Sequence, residues 1–211
     1  MAADICPTIT VNNPKDYQSA IGMISRFALR IHIDLANGTM TPSHLVDVDK
    51  VWWPGGVRAD LHVMYKQPFV YSETYLALAP QLVIVQAEAE GDFDKFSTLL
   101  HGHGVEVGVA LLADTPTSLI ESSLEFIDHV MIFSGNLGYY GGQADLSLLP
   151  KVKRLKSLKP RLEIGWDGGI NDTNIRQLAD GGVDVLNVGS YIGRAHNPDE
   201  AYATLESKLS S

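Results

Sequence analysis

The chain has 211 residues, 45% of them hydrophobic and 19% charged, enough for one sizeable apolar core and short for two. Its 16 Lys and Arg against 25 Asp and Glu leave a formal charge of −9, which argues against nucleic acid or an anionic membrane as main partner, since both demand a basic surface. The lone Cys6 excludes an internal disulfide, the start Met1-Ala2-Ala3-Asp4 lacks signal-peptide features, and no apolar run approaches the roughly twenty residues that span a bilayer, so the expected setting is a reducing cytoplasm.

Read in chain order, short segments rich in Val, Ile and Leu alternate with longer amphipathic ones. A strand at 5–10 precedes a helix over 14–28, and a strand at 30–35 precedes a short irregular helix within 42–52. Strands at 58–64, 81–86 and 105–111 are followed by helices at 68–79, 92–102 and 115–126, the last opened by Thr115-Pro116. Strands at 129–134, 161–166 and 183–189 lead into helices at 145–158, 171–180 and 197–209, with Gly181-Gly182 as a stop before the eighth strand. Parallel strands need crossovers of this length, and eight such units close a sheet on itself. The expected fold is α/β, a single-domain (β/α)8 barrel over 1–211. A doubly wound sheet uses the same units, but it places its glycine fingerprint after the first strand, whereas here Gly168-Gly169 and Gly189-Ser190 follow the seventh and eighth. Trp52-Trp53-Pro54-Gly55-Gly56 reads as a structured loop or a subunit contact.

Strand faces alternate with period two, so His32 and Asp34 project from the same side of the second strand, as a chelating pair requires. His62 on the third strand and Asp167 at the end of the seventh complete two imidazoles and two carboxylates near the C-terminal mouth, where catalytic groups of such barrels sit. That donor set suits one divalent ion among Zn²⁺, Fe²⁺, Mn²⁺ and Co²⁺. Each residue alone has a bland reading, as a mouth histidine or a turn aspartate, but burying four such groups unpaired costs several kcal/mol. Gly141-Gly142, Gly168-Gly169 and Gly189-Ser190, after strands six, seven and eight, are placed to offer backbone N–H groups to a phosphate. The glycine-rich stretch 134–142 is placed to cover the mouth as a lid. Lys151-Val152-Lys153-Arg154-Leu155-Lys156 reads as a solvated helix face, and His101 and His103 as surface residues. Glu88 is weakly placed to support the ligand shell.

Several segments occur in an order that resembles the ribulose-phosphate 3-epimerase family: Cys6-Pro7-Thr8-Ile9, His32-Ile33-Asp34, Leu61-His62-Val63-Met64, Gly141-Gly142-Gln143, Asp167-Gly168-Gly169-Ile170 and Gly189-Ser190. The resemblance implies a homo-oligomeric, metal-dependent enzyme that interconverts D-ribulose 5-phosphate and D-xylulose 5-phosphate. It places the metal ligands at His32, Asp34, His62 and Asp167, the acid/base pair at Asp34 and Asp167, and a substrate-side hydroxyl at Thr8. Inverting C3 removes a proton α to the C2 carbonyl and returns one to the other face, which suits two carboxylates.

Two departures from the family pattern bear on the pocket. Where the family reads Asp-Val-Met-Asp-Gly, this chain reads Asp34-Leu35-Ala36-Asn37-Gly38, which is expected to leave room beside the carbon chain. The usual Pro-Gly-Phe-Gly-Gly is replaced by the longer Asn136-Leu137-Gly138-Tyr139-Tyr140-Gly141-Gly142. Alternatives are an epimerase of another ketose phosphate, such as allulose 6-phosphate, and a non-catalytic phosphosugar binder. A sister family of decarboxylases and aldolases carries Asp-x-Lys-x-x-Asp in strand three, and Asp60-Leu61-His62-Val63-Met64-Tyr65 lacks that lysine.

Overall fold

In a computed structural model, which describes residues 3–210, eight parallel strands close into a barrel in sequence order, with β8 hydrogen-bonded back to β1. The strands are β1 (Asp4–Ile9), β2 (Arg30–Ala36), β3 (Arg58–Met64), β4 (Leu82–Gln86), β5 (Glu106–Leu111), β6 (His129–Phe133), β7 (Glu163–Asp167) and β8 (Val185–Val188). The α-helices are α1 (Pro14–Ile24), α2 (Ser72–Leu78), α3 (Phe93–His101), α4 (Leu149–Leu158), α5 (Ile175–Asp180), α6 (Ser190–Gly193) and α7 (Pro198–Ser210). No helix among the described residues is long and apolar enough to cross a membrane.

Local chemistry explains where the helices start and stop. Asn13 Oδ1 accepts the Asp16 N–H at 3.0 Å and Pro14 occupies the first turn, while Tyr17, Ile21 and Ile24 turn inward. α1 ends at Ile24, short of the expected 28, because Arg26 and Phe27 donate to the carbonyls three residues back, tightening the turn toward β2. The helix expected over 115–126 is instead two 3-10 stretches, Thr117–Leu119 and Glu121–Phe126. Adjacent Ser122 and Ser123 weaken α-propensity there, and the segment still buries Ile120 and Leu124. α5 begins at Ile175 because Asn171 Oδ1 accepts from the Thr173 N–H and hydroxyl, turning residues 171–174 before the helix can start. The irregular helix within 42–52 reduces to a 3-10 turn, Val48–Lys50, and the short α6 was not expected.

Two apolar clusters fill the layer between strands and helices, and Leu82, Ile84, Ala110, Met131 and Phe133 form a third, on the inward faces of β4, β5 and β6. Seven consecutive pairs join β2 to β3, putting Asp34 opposite His62. Because the period is two, a one-residue slip would turn both away from the mouth.

The first residues of β2, β6 and β7 bring charge together at the opposite end of the barrel. Arg30 Nε donates to Asp60 at 2.8 Å, its two terminal nitrogens donate to the Glu163 carboxylate at 2.9 and 2.8 Å, and His129 Nδ1 lies 2.8 Å from Glu163 Oε2. Burial raises the Asp60 carboxyl. Burial would raise Glu163 too, but hydrogen bonds and charge from Arg30 and His129 hold it well below its usual range. Stability drawn from Glu163 is therefore present above its unfolded pKa of about 4.3 and lost as pH falls. Arg30→Met strands Asp60 without its cation and is expected to cost about 3–5 kcal/mol at pH 7 by urea unfolding. The penalty should shrink toward pH 3, as both carboxylates take up protons.

Candidate active site

His32 and Asp34 on β2, His62 on β3 and Asp167, the last residue of β7, all point into the mouth of the barrel and are buried. One ligand atom from each lies within 4.8 Å of the others. Asp34 is the hub: its Oδ1 lies 2.9 Å from His62 Nδ1 and 3.3 Å from His32 Nε2, and its Oδ2 accepts from the Thr10 hydroxyl at 2.6 Å. Asp167 Oδ2 stands 3.9 Å from His32 Nε2.

The two carboxyls are driven apart. Burial would raise Asp34, yet the two imidazoles beside it, His32 and His62, hold it well below the usual carboxylate range. Burial, reinforced by the negative charge of Asp34, pushes Asp167 up to about 7. Burial lowers the His62 pKa, whereas for His32 burial is outweighed by Asp34, which raises it.

These residues fit a divalent cation. Two nitrogen and two oxygen donors converge, and both ring nitrogens of His32 are buried with no hydrogen-bond partner. His62 has a support that the sequence reading missed: Gln86, at the end of β4, places its amide 2.7 Å from His62 Nε2 and leaves Oε1 without a partner. With the amide turned end for end, Oε1 accepts the Nε2 proton and the Nδ1 lone pair faces the centre.

The glycines cluster beside this group. Gly168 and Gly169 have φ of +110° and +72°, and a Cβ on either would strike backbone, of Ser134 and of Gln143-Ala144 respectively. Only glycine lets the β7 turn pass under the loop after β6. Gly141, Gly168, Gly169, Gly189 and Ser190 line a cavity together with Thr8, Asp34 and Asp167. Gly142, next to Gly141 in the same loop and with φ of +140°, is not among the lining residues. Tyr140 lies over this cradle: its ring packs against Gly189, its hydroxyl occupies the space beside Gly193 that a side chain would need, and the Arg194 guanidinium sits 5.1 Å from its ring centre.

Other residues take different places from those expected. Ala36 does not enlarge the pocket, because Leu137 from the loop after β6 packs on Ala36, Leu45 and Met64. Thr41 Oγ1 donates to the Leu137 carbonyl at 2.8 Å and fixes that loop to the one after β2. Glu88 accepts from the Thr115 hydroxyl outside the ligand group. The lysines of α4 are not simply solvated: Lys151 donates to the carbonyls of Leu112, Ala113 and Thr115, and Lys156 pairs with Asp184 at 2.5 Å. His101 and His103 are exposed, and His101 pairs with Asp128 at 2.7 Å.

Residues 4–193 match the sequence model of the ribulose-phosphate 3 epimerase family. The chain belongs to this family. Its members are isomerase-class carbohydrate epimerases. Among relatives, the ribulose-phosphate 3-epimerase of Helicobacter pylori is 33% identical over 170 residues, covering 77% of this chain and 78% of that protein. The ribulose-phosphate 3-epimerase of Bacillus subtilis is 29% identical over the same shares. Among solved structures, KGPDC from Streptococcus mutans superposes with a TM-score of 0.76 over 100% of this chain and 98% of that one, at 13% identity, a likeness of fold.

Zn²⁺ at about a hundred times its Kd is expected to raise stability by about 2.7 kcal/mol, read as a shift in thermal unfolding that a chelator reverses. Gln86→Leu should weaken Zn²⁺ binding by about 10- to 100-fold in calorimetric titration.

Proposed function

We propose that this chain interconverts D-ribulose 5-phosphate and D-xylulose 5-phosphate by proton transfer at C3 between two aspartates. The observation that carries this is the pair Asp34 and Asp167, which enter one cavity from strands separated by β1 and β8, with pKa values moved in opposite directions. Environments that split two carboxyls in this way assign one as base and the other as acid.

Asp34, steadied by Thr10, and Asp167 supply the two roles. One carboxylate removes the C3 proton from one face and the other carboxyl returns its proton to the opposite face. The two groups then have exchanged protonation states, and the reverse reaction runs with the roles reversed. A divalent cation held by His32, Asp34, His62 and Asp167 would supply electrostatic stabilisation of the negative charge that develops on the substrate oxygens. Gly141-Gly142, Gly168-Gly169 and Gly189-Ser190 would hold the phosphate through backbone N–H groups, and Thr8 would face the sugar. The loop over 134–142 covers the cavity and limits its access to water.

With Zn²⁺, Fe²⁺, Mn²⁺ or Co²⁺ supplied, D-ribulose 5-phosphate in D₂O is expected to yield xylulose 5-phosphate carrying deuterium at C3, followed by NMR. Asp167→Asn should lower the rate by at least about 10²–10⁴-fold. Absence of both product and exchange with all four metals would remove the pentose assignment and favour another ketose phosphate or a binding role.

A further inference from the structure

The inner wall formed by β1 and β8 holds a polar group that neither the metal donors nor the phosphate cradle uses. Asn187 is 2% exposed, lines the cavity and stands in register with Asp167 on β7 and with Cys6 on β1. Its Nδ2 donates to the Met131 thioether at 3.2 Å, and its Oδ1 has no partner. A thioether sulfur only accepts, so the N–H end of the amide belongs toward Met131 and the carbonyl end remains unspent. A buried acceptor left in that state costs free energy and calls for a donor that the folded chain does not provide. The neighbouring Thr8 hydroxyl, also lining the cavity, is likewise buried and without a partner.

Position on β8 indicates which donor fits. Gly189 of the phosphate cradle lies two residues beyond Asn187, about 7 Å along the strand. Asp167, the group placed to act at C3, is its lateral neighbour. The wall between the phosphate on C5 and the reacting C3 therefore faces C4. We propose that Asn187 is a specificity-determining residue whose Oδ1 accepts a hydrogen bond from the C4 hydroxyl of the phosphosugar. The inference rests on the ketose phosphate reading above and adds to it a demand for a hydroxyl beside the phosphate-bearing carbon. A site built around such a bond rejects the analogue that lacks the hydroxyl, because the amide is then left unpaired.

Calorimetric binding of D-ribitol 5-phosphate and of its 4-deoxy analogue to the Zn²⁺-loaded protein tests this without turnover. The wild type is expected to prefer the hydroxylated ligand by about 10- to 100-fold. Asn187→Leu, and Asn187→Ala should the bulkier change prevent folding, are expected to bring the two ligands within about threefold of each other, the residual spread of a site with no bond to lose. Zn²⁺ content and the Kd for inorganic phosphate should stay at wild-type values in both variants. No preference in the wild type, or a preference that survives in the variants, overturns the assignment. So does loss of Zn²⁺ or of phosphate binding, which would make Asn187 a support for the metal group or the cradle. Turnover of D-ribulose 5-phosphate, measured in parallel on the wild type, separates the two readings: its absence defeats the epimerase reading while the alditol phosphates still decide the role of Asn187.

Discussion

Two carboxylates in one buried pocket repel each other and lose hydration, and the mouth of this barrel is organised around that cost. Asp34 is held ionised beside two imidazoles and a threonine hydroxyl, while burial, reinforced by the charge of Asp34, pushes Asp167, which has no comparable donors, toward the protonated form. The asymmetry is a property of positions. Asp34 lies within a strand flanked by histidines on its own and the next strand, whereas Asp167 ends its strand at a turn of two glycines.

The two ends of the barrel treat charge differently. At the N-terminal end, a guanidinium meets two carboxylates directly, so that cluster carries its own cation and contributes to the fold. At the mouth, the positive partners are imidazoles, one of which burial drives toward the neutral form, and among the described residues no lysine or arginine pairs with Asp34 or Asp167. Acceptors in excess of permanent cations make a structurally poor but chemically useful arrangement, ready for a cation from solution. The contrast between a self-neutralised floor and an acceptor-rich mouth is what assigns stability to one end and chemistry to the other.

Much of this was legible because strands impose strict geometry. Period two alone placed His32 and Asp34 together, and parallel closure brought His62 and Asp167 to them, so four donors were readable without side-chain coordinates. Gln86, Thr10 and Asn187 were not readable as site residues, since an amide or hydroxyl at a strand end has no distinctive chemistry until its partner is known. Pairing across β2, β3 and β4 makes Gln86 a support for His62, and the orphaned carbonyl of Asn187 shows only when every neighbouring donor has been counted. Helix limits were less legible because capping competed with propensity: Asn171 and Thr173 bonded locally and delayed α5, and the serines near 122 admitted 3-10 turns. The basic run of α4 misled for a related reason. Lysine stems are long enough to leave the solvated face and cap free carbonyls of the loop after β5, a contact set by tertiary placement.

The departures in β2 and in the loop after β6 meet in one packed cluster. Reduction of the side chain at Ala36 opens space against Met64 and Leu45, and Leu137 from the longer loop fills it, while Thr41 holds the Leu137 carbonyl. Gly138, with φ of +79°, lets the loop come so close to Thr41 and Ser43 that a Cβ there would meet both side chains at less than 3 Å. A methionine at position 36 would compete with Leu137 for the same volume. The gain is a roof fixed at its near end by Leu137 and seated at its far end by Tyr140 over Gly189 and Gly193. Beside that filled space, the wall of β1 and β8 keeps unspent hydrogen-bonding capacity at Thr8 and Asn187.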